Sequence, residues 1–283
     1  MVTVPRKISR MRGHEPVPFV VNEGARLFWT EQGSGPPVLL IMGLSFTHEM
    51  WYRVIPAIVP HFRAIMFDNR GMGRSDVPRG PYSIAQMARD AAAVLDAAGV
   101  TKAHILGASM GGMIAQELAF RNPDRVESLM LACTSYSGLF ARWPDLRRLP
   151  RPVPWTRASR TERENALIPL LYADGTPRAR IEEDFQIRMQ CRWTSKGFLN
   201  QFAGILLWNS YRWLPRLEVP TLVLHGEQDC LIPVANGKVI AARIPRAELC
   251  AIPDAGHILM TDQPEACTAA VARFLEPWLS RVD

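Results

Sequence analysis

The sequence predicts an α/β protein organised around a parallel sheet, and three observations carry that expectation. Short apolar runs recur along the chain, several of them continuous, as strands covered on both faces must be. Helical segments with readable ends lie between them. The alternation breaks once, from about 136 to 214, and then resumes. Strands alternating with helices make βαβ units joined by right-handed crossovers.

In chain order, strands are predicted at 17–21 (VPFVV), 26–31 (RLFWTE), 37–42 (PVLLIM), 63–67 (RAIMF), 103–107 (AHILG), 127–132 (ESLMLA), 220–225 (PTLVLH) and 247–252 (AELCAI). Ser83 with Gln86 makes a capping box. Ile84, Met87, Ala88, Ala91, Val94, Leu95 and Ala98 then recur at helical spacing until Gly99 stops the helix. After Ser109, Met113, Ile114 and Leu118 share one face until Asn122-Pro123. Asp262 and Glu265 are expected to open a last helix that docks Ala270, Val271, Phe274, Leu275 and Trp278 on the sheet. The stretch 136–214 begins rich in Arg, Pro and Trp and turns helical at 161–172, 178–192 and 196–208. It is expected to be a helical insertion, with residues 1–135 and 215–283 forming the two parts of one core.

With 48% apolar and 21% charged residues the chain has an ordinary globular composition. The net charge of +6 is concentrated at Arg6, Lys7, Arg10 and Arg12, and at Arg142, Arg147, Arg148, Arg151, Arg157, Arg160 and Arg163. No nucleic-acid-binding motif accompanies these groups, so solvated surface arginines are expected, with no nucleic-acid partner. Five cysteines without C-x-x-C spacing argue against a disulfide framework and against a zinc site. The N-terminal charges lack an apolar h-region, so no secretory signal is expected. No stretch approaches the roughly 18 apolar residues of a membrane span. A cytoplasmic location follows as the expectation; the oligomeric state, monomer or dimer, is left open.

Gly107-Ala108-Ser109-Met110-Gly111 follows an apolar strand and precedes a helix, the setting of a G-x-S-x-G nucleophile elbow. The serine needs a tight, strained turn to project its Oγ, and the flanking glycines leave room where a Cβ would clash. A hydroxyl needs a base to take its proton, and the base needs an acid to fix its tautomer. The expected order is Ser, acid, His. Asp229 follows the strand at 220–225 and His257 follows that at 247–252, so both fall at the strand edge where Ser109 emerges. Glu227 and Asp254 are weaker choices for the acid. His104 and His225 read as interior histidines, and His14, His48 and His61 lie in segments that the order does not use. Backbone N–H groups of Met110 and Leu44 are the candidate oxyanion donors.

These motifs resemble the α/β-hydrolase superfamily, in its capped serine esterase, lactonase and C–C hydrolase branch. The likeness rests on "GASMGGMIAQELAFRNPDRV", "FDNRGMGRSD", "VPTLVLHGEQDCLIP" and "IPDAGHILMTDQPEAC". It implies an eight-stranded, mostly parallel sheet with helices on both faces and a helical cap between the sixth and seventh strands. Met42-Gly43 stands where many relatives have His-Gly, and "IMG" resembles methylesterases that act on polyketide antibiotics. Asp68, Arg70 and Gly73 read as architectural.

A serine at 109 argues against the aspartate-nucleophile relatives. "GASMGG" lacks a P-loop's Lys-Ser/Thr, "GMGRSD" is not G-x-G-x-x-G, and no metal-ligand spacing is present. The expected chemistry uses no cofactor and no metal: hydrolysis of a small to medium, largely apolar ester through an acyl-enzyme. A lactonase or C–C hydrolase would use the same residues, and a non-hydrolytic binder or cyclase could share the scaffold. The expected pocket is apolar, drawn from Phe46, Trp51, Phe185, Trp208, Trp213, Leu231 and Ile258, with Phe202 from the insertion and cap arginines facing outward.

Overall fold

The computed structural model describes residues 18–142 and 160–281. One eight-stranded sheet runs in the order β1 (Phe19–Asn22), β2 (Ala25–Gln32), β4 (Arg63–Phe67), β3 (Pro37–Ile41), β5 (Ala103–Ala108), β6 (Val126–Ala132), β7 (Thr221–Gly226), β8 (Ala247–Ile252). β2 pairs antiparallel with β1 and with β4, and the other pairings are parallel. Every expected strand is present within one or two residues of its limits; Val17 lies outside the described residues.

The pleat explains the continuous apolar runs. Along β3, Leu39 and Ile41 enter one core while Val38 and Leu40 enter the other. The first core is closed by α2 (Ile84–Ala97), α3 (Met110–Arg121) and α7 (Ala235–Arg243). The second is closed by a 3-10 turn (His48–Arg53), α1 (Ile55–Ile58), α8 (Leu259–Asp262) and α9 (Pro264–Leu275). Truncating Leu39 or Leu40 to Ala would each cost about 2–5 kcal/mol, one cavity on each face. β1 and β8, at the sheet edges, are only partly covered.

The Ser83 Oγ accepts the Gln86 N–H at 3.0 Å, but the Gln86 side chain turns to Glu23 at 2.8 Å instead of completing the capping box. Gly99, at φ +67°, ends the helix as expected. The last expected helix is divided. Asp262 closes α8 rather than opening α9, and Trp278 sits in a 3-10 turn (Glu276–Arg281) after it.

Between β6 and β7 the chain forms α4 (Arg160–Leu171), α5 (Arg178–Gln190) and α6 (Ser195–Leu207). The segments by which the chain enters and leaves this insertion are stitched together. Ser137 and Asn209 form an antiparallel bridge, Gly138 N–H donates to Trp208 O at 3.1 Å, and Ser210 N–H donates to Tyr136 O at 2.8 Å. Of the expected basic groups, Arg6, Lys7, Arg10, Arg12, Arg147, Arg148, Arg151 and Arg157 lie outside the described residues; Arg142 is exposed.

β3 continues into β4 on one side, whereas β5 lies on its other side. The loops after β3 and β5 therefore diverge at the carboxyl edge, leaving a crevice where such sheets receive ligands. The loops after β7 and β8 open on the same edge.

Candidate active site

Ser109 leaves β5 at φ 56°, ψ −120°, a strained conformation for a residue with a Cβ. Its surroundings hold it there. The Ser109 N–H donates to Ala132 O at 2.9 Å, and Thr134 Oγ1 donates to Ser109 O at 2.7 Å. The flanking glycines are steric necessities: a Cβ on Gly107 would lie 2.3 Å from Gly111 O, and one on Gly111 2.0 Å from Ile41 O. The motif is thus the imprint of α3 packed directly on the ends of β3 and β5.

His257 Nε2 stands 3.0 Å from Ser109 Oγ, and its Nδ1 lies 2.9 Å from Asp229 Oδ2. The other carboxylate oxygen, Oδ1, accepts the N–H groups of Leu231 and Ile232 at 2.9 and 2.8 Å. Burial, the largest influence, pushes the Asp229 carboxyl up, but His257 and His225 together outweigh it and hold it down at about 2. The carboxylate stays ionised at any working pH, so it favours the His257 tautomer with a proton on Nδ1 and a lone pair toward Ser109. Glu227 is exposed and Asp254 is taken up by Gln228 at 2.9 Å, so neither occupies the place beside His257.

Gly43 crosses in front of the serine; a Cβ there would lie 2.9 Å from Ser109 Cβ and 3.4 Å from Oγ. Next to it, the Leu44 N–H, like that of Met110 at the start of α3, has no acceptor among the described hydrogen bonds. Asn69 Nδ2 pins this loop by donating to Met42 O at 2.8 Å. Asp68 accepts the His48 N–H at 3.0 Å, His48 Nδ1 at 2.7 Å and the Arg74 N–H at 2.9 Å. Arg70 makes a two-pronged bond to Asp90, and a Cβ on Gly73 would strike Asp68 Oδ2 at 2.2 Å. Asp68, Arg70 and Gly73 therefore brace the loops around the site, as expected.

The cleft at Ser109 opens to solvent and is lined by Met42, Gly43, Phe46, Met50, Ala108, Cys133, His257, Ile258 and Met260. Phe46 and Ile258 are thus in its wall. Phe185 and Leu231 stand one layer behind, packed with Ile258, Phe46, Leu171 and Tyr172. Three expected members lie elsewhere. Trp51 is fully buried in the second core, beneath the cleft. Trp213 stacks on Phe120 of α3 with ring centroids 4.4 Å apart, and Trp208 donates to Glu117 at 2.7 Å. Both tryptophans root the insertion on α3, because a buried indole N–H needs an acceptor and Glu117 supplies it. Phe202 is turned outward, 39% exposed.

Sequence reasoning missed Met42, Met50, Cys133 and Met260 as wall residues. Met42 and Cys133 each follow the last residue of a central strand, a position that could have marked them. Cys133 takes φ +42°, and burial pushes its thiol well above the ordinary range. His104 is interior, as expected, with Nδ1 2.8 Å from Ser128 Oγ. His225 is interior as well, as expected: its Nε2 lies 2.7 Å from Ile232 O, and 3.5 Å from Asp229 Oδ2, which also sets it beside the carboxylate.

Also missed was Asp262. Its carboxylate accepts the Gly256 N–H at 2.6 Å and the Ala173 N–H at 3.3 Å, and it is bonded by Thr176 Oγ1 at 2.5 Å. One side chain thus ties the loop bearing His257 to the turn between α4 and α5. Burial, the largest influence, pushes the pKa of its carboxyl up. His48, Glu49 and Asp68 offer ligand atoms within 4.8 Å of one another, although no spacing in the sequence signals a metal. The His48 imidazole is already committed to Asp68, which also receives two backbone N–H groups, so the group works as a loop brace.

An eight-stranded sheet carrying a serine elbow at its carboxyl edge defines the class, and the match in sequence agrees. Residues 36–264 fit the α/β-hydrolase fold family, and the chain belongs to it. It is 31% identical, over 245 residues, to a poly(3-hydroxyalkanoate) depolymerase of Ectopseudomonas oleovorans, covering 85% of this chain and 84% of that protein. Among solved structures, an enol-lactonase from Burkholderia xenovorans superposes with a TM-score of 0.78 at 26% identity, over 92% of this chain and 100% of its own. A thermophilic esterase from Thermogutta terrifontis matches at 0.78 and 28%, over 92% and 98%. The relatives are hydrolases of the esterase and lactonase kind. Among the described residues no helix is long and apolar enough to cross a membrane.

Proposed function

We propose that this protein hydrolyses carboxylic esters of small to medium, largely apolar substrates through an acyl-enzyme on Ser109. The observation that carries the proposal is the unbroken chain of hydrogen-bond contacts from Ser109 Oγ through His257 to Asp229, at 3.0 and 2.9 Å. Ser109 Oγ attacks the ester carbonyl while His257 Nε2 takes its proton. The resulting oxyanion is met by the N–H groups of Leu44 and Met110, and collapse expels the alcohol, protonated by His257. Water, deprotonated by His257, then attacks the acyl carbonyl and releases the acid and Ser109. Asp229 keeps the imidazole oriented and stabilises its protonated form.

The wall chemistry supports an apolar acyl or alkyl group: around the serine lie three methionines, Phe46, Ile258 and an unionised thiol. Flexible thioethers conform to varied shapes. Residues 136–214 act as a cap over a core made of 1–135 and 215–283, and Phe185 of the cap backs the cleft wall at Ile258 and Phe46. A lactone is an internal ester, open to the same attack. The five cysteines are unpaired, in keeping with a cytoplasmic location.

The test is turnover of a p-nitrophenyl butyrate by wild type and Ser109→Ala, with fluorophosphonate labelling in parallel. Wild type should turn over and be labelled, and the variant should do neither. Labelling without turnover would leave a binding protein in place of an esterase.

A further inference from the structure

α6 is packed with its polarity reversed. A surface helix normally buries its large apolar side chains. Here the buried positions are Gly197, Gln201 and Gly204. A Cβ on Gly197 would lie 2.0 Å from Gly71 O, and one on Gly204 1.9 Å from Tyr82 O, so helix and loop backbones are in direct contact. Gln201 fills the space between, donating to Arg70 O at 2.8 Å and accepting the Ser45 N–H at 3.4 Å. The opposite face carries Leu199, Phe202 and Leu207, which are 61%, 39% and 80% exposed.

The apolar surface extends past the helix. Trp193 lies 6.2 Å from Phe198, which stacks on Phe202 at 5.9 Å. Gly138 is packed on the backbone of Ile205 and Leu206, bringing exposed Phe140 to the other end. The surface also adjoins the cleft. Trp193 Nε1 donates to Ser45 Oγ at 3.3 Å, and Ser45 directly follows Leu44. Patches of this kind on a soluble chain mark a docking site.

The surrounding charge is of one sign. From 185 to 217 the chain has five cations and no Asp or Glu; Arg192, next to Trp193, and Lys196, in the first turn of α6, are exposed, as is Arg212. Glu49, whose Oε2 lies 3.7 Å from Cys191 Sγ, is engaged by His48 at 3.3 Å and by Arg74 at 3.8 Å. A second copy docking through this face would bring like cations together, because a two-fold contact repeats the same patch on both sides. Aromatic and leucine side chains rimmed by Lys and Arg are instead the composition of segments that lie in a lipid–water interface. There the apolar groups enter the acyl boundary and the cations meet anionic headgroups.

We propose that the outward face of α6, with Trp193 and Phe140, docks the protein on an anionic lipid–water interface, with the mouth of the Ser109 cleft at the interface. A sparingly soluble ester would then reach the cleft without crossing bulk water. The docking itself does not depend on the esterase reading.

Co-sedimentation of the full chain with vesicles tests it, using phosphatidylcholine alone or mixed with phosphatidylglycerol. Wild type should sediment with the mixed vesicles and release in high salt. Leu199→Ser with Leu207→Ser should weaken binding on the order of tenfold or more, since two apolar anchors are lost. Arg192→Glu with Lys196→Glu should abolish the preference for anionic vesicles. Both pairs should keep the wild-type rate on a dissolved short-chain ester. Absence of wild-type binding to mixed vesicles would overturn the proposal, as would variants that bind like wild type. So would a dimer in ultracentrifugation that the Leu199→Ser, Leu207→Ser pair dissolves. Failure to hydrolyse any ester would break the proposed function and leave the vesicle result standing.

Discussion

α3 starts at Ser109 and α6 packs on the loops at Ser45 and Arg70, and each brings a glycine against a backbone carbonyl. A Cβ on Gly111 would meet Ile41 O at 2.0 Å, and one on Gly204 would meet Tyr82 O at 1.9 Å. They differ in what covers the rest of the helix. α3 is buried on nearly every side, with Met113, Ile114 and Leu118 in the first core. α6 buries its small face and leaves Leu199 and Leu207 to solvent. The lesson is that small residues mark close approach wherever it occurs, whereas large apolar residues mark the interior only when a second layer exists to receive them. α3 packs on β5 and β6, beside α2, and carries Trp208 and Trp213 of the insertion on it; α6 is an outer layer.

The comparison can be pressed hardest at the serine. Ser109→Ala should lower kcat by about 10⁶ while leaving the urea midpoint near that of wild type, because the hydroxyl contributes to chemistry and little to packing. A turnover number reduced only severalfold would dissociate the elbow from catalysis. Asp229→Asn comes next, at about 10⁴ in kcat, since an amide presents the wrong hydrogen-bonding partner to His257 Nδ1. A normal rate in that variant would move the acid's role to another carboxylate.

Stability effects are smaller. Burial holds the His104 imidazole down at about 4, from an ordinary 6.5. The unfolded chain therefore binds a proton that the folded chain does not between those values. Stability is fully present above about 6.5 and falls as the pH drops toward 4, by about 3 kcal/mol from this group. Urea unfolding across that range should show the slope, and His104→Asn should flatten it. If the two slopes coincide, His104 is not responsible.

Both close-packed glycines should resist a methyl group alike. Gly111→Ala and Gly204→Ala should each cost about 1–3 kcal/mol in urea unfolding, through forced shifts of neighbouring backbone. Of the two, only Gly111→Ala should also reduce kcat sharply, because it displaces the elbow. Equal loss of kcat would couple α6 to the chemistry. The smallest effect belongs to α6's outer face, where Leu199→Ser and Leu207→Ser should each change stability by no more than about 0.5 kcal/mol. A larger loss would place those side chains in a packed environment.

The same contrast separates what could be read in the sequence from what could not. Strand limits and the positions of Ser109, Asp229 and His257 are local: each depends on an apolar run and the turn that ends it. Trp208, Trp213 and Phe202 were expected near the cleft on apolar character alone. Their true places depend on which side of the insertion faces α3, and no local pattern encodes that. Trp51 was misplaced for a related reason, since a 3-10 turn carries His48 at the loop and Trp51 in the core. Asp262 escaped because its partners, Ala173 and Gly256, are distant in sequence and contribute only backbone N–H groups. Backbone partners leave no residue-type signature.

The central claim, that Ser109 carries the acyl group, is tested most directly by rapid acid quench during turnover of p-nitrophenyl butyrate. Peptide mass mapping of the quenched protein then locates the bound group. A burst of up to one equivalent of p-nitrophenol with a butyryl group on the peptide containing Ser109, absent from Ser109→Ala, is the expected result. Steady turnover with the acyl group on another residue, or undiminished in Ser109→Ala, would contradict it.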